Sequence, residues 1–372
     1  MPHVMQLLWI CGPPGIGKTT TAWELYSRLI TDGTPTGFVD IDQLGMSFPE
    51  PQDDPGRYRM KERNLGEVAR GFGAAGARCV VVSGVADPVN GTAGDLERLA
   101  PADVTLCRLR SDREELRARY IERGARLEVV EAALAEADAL DRSDFADKCV
   151  DTTGAAVSEV LRRMGERLGD WPVIDSPHSS AVRGPAPNLI SGPSQGSGPI
   201  LWLCGPAGVG KSSVGWEIYQ RVLGSGVPAA FVDLDQLGFL RPSKPDDRNG
   251  HRLKAGNAAA LWNTFRAAGA RCMIMVGPVD GHRDVSTYVD ALPKATVTLI
   301  RLHAGRTDLE RRISLRARGH GPSLPGDELP GKSPEYLRGL ADRAARVAQR
   351  LERERVGDLY VATDGRTISQ VA

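Results

Sequence analysis

One eight-residue pattern occurs twice in this chain, and few folds can carry it. Residues 12–19 read GPPGIGKT and residues 205–212 read GPAGVGKS, both of the form G-x-x-x-x-G-K-[ST]. Each follows an apolar run that reads as a buried strand (7–11 and 200–204) and precedes a helical pattern (20–30 and 213–223). Gly12, Gly15 and Gly17, with Gly205, Gly208 and Gly210, let the backbone fold back so that its N–H groups converge at a helix N-terminus, where the dipole favours an anion. Lys18 and Lys211 would bridge the terminal phosphates of a nucleotide, while Thr19 and Ser212 offer a hydroxyl to Mg²⁺. Thr20 and Ser213 continue each binding turn. The expected ligand of each copy is ATP with Mg²⁺.

Lys211 lies 193 residues after Lys18, and that offset aligns the halves without a gap through about the first half of each copy. FVDIDQLG (38–45) meets FVDLDQLG (231–238), and AAGARC (74–79) meets AAGARC (267–272). The register slips after Arg123, where the second copy carries an added Gly/Pro-rich stretch. Each copy reads as strand, phosphate loop, helix, strand ending in Asp-x-Asp, irregular segment, then alternating helices and strands. That alternation predicts an α/β fold, two tandem domains each with a parallel sheet flanked by helices. The expected boundaries are 1–168 and 199–372, joined by a Pro/Gly/Ser-rich linker at 169–198.

Composition narrows the setting. A length of 372 residues suits two cores, and 41% apolar with 25% charged residues describes globular protein. No apolar run is long enough to span a bilayer and the start shows no secretory pattern, so the chain reads as cytoplasmic with no membrane partner. Six Cys occur without a C-x-x-C pair, so neither disulfides nor a zinc site is expected. Acidic and basic residues balance at 47 each, which weighs against nucleic acid as the partner.

The remaining candidates follow the loops. Asp40-x-Asp42 and Asp233-x-Asp235 end apolar runs, at the strand edge where doubly wound sheets bind ligands. Extended, the two carboxylates of a pair would face one side; Asp40 and Asp233 would hold the metal with Thr19 and Ser212, and Asp42 and Asp235 would orient or deprotonate an acceptor hydroxyl. Arg59, Lys61 and Asn64 recur as Arg252, Lys254 and Asn257, and Lys61 and Asn64 share a helix face, a candidate acceptor-binding surface. Strand three is followed only at a distance by Asp87 and Asp280, so the usual acid of motor ATPases is displaced. After strand four, Arg119 and Arg123, with Arg312 and Arg316, sit one turn apart and read as lid arginines that would stabilise a transferring phosphoryl group. Residues 150–154 and 361–365 (VDTTG and VATDG) end the last strand, where the backbone could line a base.

This set of motifs resembles the small P-loop kinases that phosphorylate hydroxyl groups, among them adenylylsulfate kinase, gluconate kinase, chloramphenicol phosphotransferase and polynucleotide kinase. The likeness over the first half of each copy is greatest to adenylylsulfate kinase, whose Asp-Gly-Asp-Asn resembles Asp40-Ile41-Asp42-Gln43 and whose Arg-x-x-Asn resembles Lys61-x-x-Asn64. The resemblance implies ATP-dependent transfer to a small-molecule hydroxyl, with Asp42 and Asp235 as the acceptor-side acids and the four arginines as the lid. Lys stands in place of that family's Arg, and its later segments are missing here, so the resemblance speaks for ATP more than for the acceptor. Two other readings fit the same motifs. One is a nucleic-acid end kinase with a basic groove near residues 57–63; the other is a nucleotide-sensing regulatory protein in which ATP holds domains together.

Overall fold

The computed structural model of the chain describes residues 5–87, 102–122, 124–172, 197–321, 325–327 and 329–372. They form two compact units. The stretch read as a linker lies mostly outside the described residues, as does Arg123.

In the first unit the strands are β1 (Met5–Cys11), β2 (Thr36–Asp40), β4 (Cys79–Ser83), β5 (Ala102–Arg110) and β6 (Lys148–Asp151), with the short β9 (Phe239–Arg241) at the sheet edge, while the short β3 (Ser47–Phe48) belongs to the second unit. The helices are α1 (Lys18–Thr31), α2 (Tyr58–Ala75), α3 (Arg113–Glu122), α4 (Leu127–Asp141) and α5 (Val157–Leu168). The sheet order is β6-β5-β1-β4-β2-β9. Strand β1 pairs in parallel with both β4 and β5. The winding therefore reverses beside β1, and the crevice at a reversal of this kind is where α/β sheets take ligands. Leu7, Leu8, Trp9, Ile10 and Cys11 are all buried, as a central parallel strand covered on both faces requires.

The second unit repeats this order with β7 (Gly198–Cys204), β8 (Ala229–Asp233), β10 (Cys272–Val276), β11 (Ala295–His303) and β12 (Leu359–Ala362). Its helices are α6 (Lys211–Gly224), α7 (His251–Ala267), α8 (His282–Ala291), α9 (Arg306–Ala317), α10 (Pro334–Arg353) and α11 (Ile368–Val371). The sheet order is β12-β11-β7-β10-β8-β3.

Two details depart from the sequence reading. Each sheet is mixed: its outermost strand runs antiparallel, β9 against β2 and β3 against β8. Neither unit is one contiguous stretch, since Phe239–Asp246 belongs with the first and Met46–Pro55 with the second. An edge strand such as β2 presents unpaired N–H and C=O groups, and any short extended segment brought alongside satisfies them. In the first unit Phe239 also stacks edge-on against Trp23 and Phe38, with ring centroids 5.0 and 5.9 Å away. In the second, Phe231 N–H donates to Met46 O at 2.8 Å.

All six cysteines are free thiols. No helix among the described residues is long and apolar enough to cross a membrane.

Candidate active site

At the C-terminal end of β1 the chain turns into α1, and at the end of β7 into α6. The last residue of each turn, Gly17 or Gly210, has φ of 97° or 101°, a left-handed conformation that glycine adopts without strain. No side chain caps either helix, so the first-turn N–H groups face the loop, as anion binding needs. Lys18 Nζ donates to Pro13 O at 2.9 Å, and Lys211 Nζ to Gly205 O and Pro206 O at 3.0 Å each. Both ammonium groups thus lie across the mouth of their own loop. Burial lowers the pKa of each, and Asp42 (for Lys18) and Asp235 (for Lys211) are the strongest charges opposing that shift.

The Asp-x-Asp pairs are not extended. Asp40 ends β2, and the chain then enters a 3-10 turn, Ile41–Gly45, so that Asp40 Oδ1 accepts from the Asp42 N–H at 3.0 Å. Asp233 accepts from Asp235 N–H in the same way, at 3.0 Å, as the N-cap of the turn Leu234–Leu237. A cap serves here where the period of a strand would have put both carboxylates on one side, because the turn's first N–H groups need an acceptor. Burial and the neighbouring aspartate raise the pKa of Asp40 and of Asp233 to about 6. The second acid is treated differently: although burial works against it, Lys254 and Lys211 hold the Asp235 carboxyl below the ordinary carboxylate range.

Those two lysines and their asparagine neighbours come from α2 and α7. Lys61 Nζ lies 2.8 Å from Asp42 Oδ1 and Lys254 Nζ 2.9 Å from Asp235 Oδ1. One turn further along, Asn64 Nδ2 donates to Leu44 O at 2.7 Å and Asn257 Nδ2 to Leu237 O at 2.8 Å. All four side chains are buried and grip the Asp-x-Asp turn, so the shared face found in the sequence packs against that turn. Arg59 and Arg252, by contrast, are exposed at the helix starts.

The hydroxyl after each loop lysine meets a polar group of the sheet edge. Ser212 Oγ donates to Asp233 Oδ2 at 2.8 Å, and Ser83 Oγ donates to Thr19 Oγ1 at 3.4 Å. A hydroxyl and a carboxylate are hard oxygen donors, and the Ser212–Asp233 contact brings them to one point, so the residues present fit a magnesium–nucleotide pair.

Of the lid arginines, Arg119 and Arg312 are bound to backbone. Arg119 Nη1 donates to Ile16 O at 3.2 Å and Nη2 to Thr152 O at 3.3 Å, with Glu115 as its ion-pair partner. Arg312 donates to Val209 O at 2.9 Å and to Thr363 Oγ1 and O at 2.8 and 2.5 Å. These guanidinium groups therefore tie the phosphate loop to the segment after the last strand. Arg316 instead pairs with Asp327 at 2.7 Å, and its charge is felt at Lys211. Two groups carry no signal in the sequence: Ser83, which ends a purely apolar strand, and Glu136 on α4. Burial raises the Glu136 carboxyl pKa while the charge of Lys18 lowers it, which places this acid within electrostatic reach of the loop.

No protein-family model matches the chain, and no curated protein matches it. Several solved structures do. A gluconokinase from Sinorhizobium meliloti 1021 is 19% identical over 44% of this chain and 90% of its own, with a TM-score of 0.33. A tunicamycin resistance protein from Deinococcus radiodurans is 21% identical over 47% and 91%, with a TM-score of 0.32. An APS kinase from Mycobacterium tuberculosis is 21% identical over 47% and 92%, with a TM-score of 0.28. Each is matched nearly end to end by less than half of this chain. With a phosphate loop at the centre of each six-stranded sheet, the chain is an α/β protein of two phosphate-loop units.

Proposed function

We propose that this chain is an ATP-dependent phosphotransferase that moves the γ-phosphoryl group of Mg·ATP to a hydroxyl group of a small molecule. The observation that carries this reading is the second aspartate of each turn, held by a buried lysine at the sheet edge beside the loop lysine. A nucleotide-binding module without chemistry needs the loop; it has no use for an acid kept in place there by a buried lysine.

The loops bind the phosphates through backbone N–H groups and through Lys18 or Lys211. Magnesium, held by Thr19 and Asp40 or by Ser212 and Asp233, would supply neutralisation of charge on the phosphates. Asp235, kept anionic by Lys254, accepts the hydrogen bond of the acceptor hydroxyl and so aims its oxygen at phosphorus. As the new O–P bond forms, the bond to the departing ADP oxygen breaks and the hydroxyl proton leaves to Asp235 or to solvent. A loose transition state asks little more of the protein than this alignment. Arg316 adds positive charge near Lys211, while Arg119 and Arg312 brace the loops.

The test is mass spectrometry of a small-metabolite extract incubated with Mg·ATP and the protein, beside Lys18→Ala and Lys211→Ala variants. A phosphorylated product lost in one variant names the acceptor and the working unit. Binding of ATP with no phosphate gained by any extract, nucleoside or oligonucleotide would overturn the reading in favour of a nucleotide-gated regulator.

A further inference from the structure

The two units differ where the acceptor-side helix begins. His251, the first residue of α7, replaces Tyr58 at the matched position of the first copy, and it is nine-tenths buried. Its Nδ1 lies 3.2 Å from the hydroxyl of Tyr288, a buried phenol on α8 whose pKa burial pushes well above its ordinary value, so that the group stays neutral. Among the described residues its Nε2 makes no well-aligned hydrogen bond, only ion-pair approaches. That nitrogen points at two carboxylates: Asp284 Oδ2 at 3.4 Å and Asp280 Oδ2 at 3.9 Å, the three ligand atoms lying within 4.8 Å of one another.

We propose that His251, Asp280 and Asp284 bind a divalent transition-metal ion, with zinc the best fit, in the second unit. One imidazole and two carboxylates are a donor set that zinc takes readily and that magnesium, which prefers all-oxygen shells, does not. Bonds of about 2.0–2.2 Å give a tetrahedral edge of roughly 3.4 Å, which the His251–Asp284 separation already meets. With Nδ1–H donating to Tyr288, Nε2 presents its lone pair to the ion. The outer partners a metal site requires are present as well: Asn249 donates to Asp280 Oδ2 at 2.5 Å, Arg350 to Asp280 Oδ1 at 2.7 Å, and the Asp280 N–H to Asp284 Oδ2 at 2.7 Å. Asp280 is half-exposed, which leaves room for water as the fourth ligand and a path for the ion. The expectation of no zinc site came from the cysteines, and this donor set contains none. The first unit lacks both His251 and Asp284 at the matched positions, Tyr58 and Gly91, so the site is peculiar to the second.

The test uses the full chain, stripped with a chelator and titrated with Zn²⁺ against a chromophoric indicator, and separately with Co²⁺. One equivalent of zinc and a tetrahedral cobalt spectrum without a thiolate charge-transfer band are expected in the wild type and in Lys211→Ala, which alters only the nucleotide loop. Asp284→Asn and His251→Gln should abolish both signals, and Tyr288→Phe should weaken zinc by about tenfold. His282→Ala, whose ring lies 2.8 Å from the Glu354 carbonyl, should leave them intact. Zinc binding unchanged in Asp284→Asn, a thiolate band, or no zinc taken up by the wild type at micromolar concentration overturns the proposal. Should His251→Gln fail to fold, Asp284→Asn alone decides.

Discussion

Lys254 Nζ stands 2.9 Å from Asp235 Oδ1, and the backbone of Gly238 is what makes that approach possible. A β-carbon on Gly238 would lie 2.6 Å from both Cγ and Cε of Lys254. The same arrangement recurs in the first unit, where Lys61 reaches Asp42 over Gly45. The acid, the lysine and the glycine that admits it act as one device.

Replacing the lysine while keeping its bulk separates this device from nucleotide binding. In Lys254→Met the Asp235 carboxyl loses its strongest opposing charge and its fixed position. The kcat/KM for the acceptor should fall about a hundredfold, while KM for ATP changes less than about twofold. Because Asp235 is half-exposed at the ion pair, the folding cost is expected to be only about 1 kcal/mol. Initial-rate kinetics in both substrates decide this; a rise in KM for ATP with kcat intact would show that Lys254 serves the nucleotide.

The arginines should divide by partner. Arg312→Ala removes bonds to Val209 O and to Thr363, so the loop loosens and nucleotide affinity drops about tenfold. Arg316→Ala frees Asp327 and removes a charge near Lys211; it should lower kcat with ATP affinity nearly unchanged. Titration calorimetry with a non-hydrolysable ATP analogue, set against turnover, distinguishes the two. The reverse pattern would make Arg312 the catalytic arginine.

Phe239 tests the borrowed edge strand of the first unit. Its ring closes a cluster with Trp23, Tyr26 and Phe38. Since Phe239 is only partly buried, Phe239→Ala should cost about 2 kcal/mol, below the usual range for a fully buried phenylalanine. The loss should appear in the unfolding transition that Trp23 fluorescence reports. An unchanged transition would mean that β9 contributes nothing to that sheet's stability.

The phosphate loops were legible because everything they need is local: a strand, three glycines, a lysine and a hydroxyl within a dozen residues. The recurrence of FVDxDQLG was equally visible, but its cause was not. Asp40 caps the turn, Leu44 O receives Asn64 and Gly45 clears a path for Lys61, and these constraints link residues about twenty apart. Arg119 could be read as a lid residue, yet its partner Ile16 O lies 103 positions away, beyond any spacing rule. The exchanged edge strands left no trace because β3 and β9 are two and three residues long, too short for a strand period to register.

Acidity offers a separate check on the first aspartates. The pKa of Asp40 and Asp233, 3.8 for the isolated side chain, is about 6 in the fold. Between those values the folded chain holds protons that the unfolded chain has lost, so these groups favour folding at low pH and lose that contribution as pH rises through about 6. Each is worth at most about 3 kcal/mol. The nucleotide-free chain should therefore show a smaller fall in stability on acidification from pH 7 to pH 5 than the Asp40→Asn, Asp233→Asn double variant, measured by denaturant titration. Parallel pH profiles would mean that neither aspartate is protonated early.

Gly238→Ala is the sharpest probe of the site, because it adds one methyl group and removes no chemistry. Gly238 has φ of −133°, a region open to any residue, so backbone strain is not the constraint; space is. The atoms in the way belong to the middle of a buried lysine chain, which cannot swing aside without giving up Asp235. The expected result is a loss of acceptor turnover approaching that of Lys254→Met, with ATP affinity retained, and Gly45→Ala should do the same in the first unit through Lys61. If the double variant Gly238→Ala, Lys254→Met were no worse than either single change, the two residues would be acting through one contact, as the geometry requires. Additive losses would mean that Gly238 matters for some other reason, and the link from glycine through lysine to the acceptor-side acid would fail.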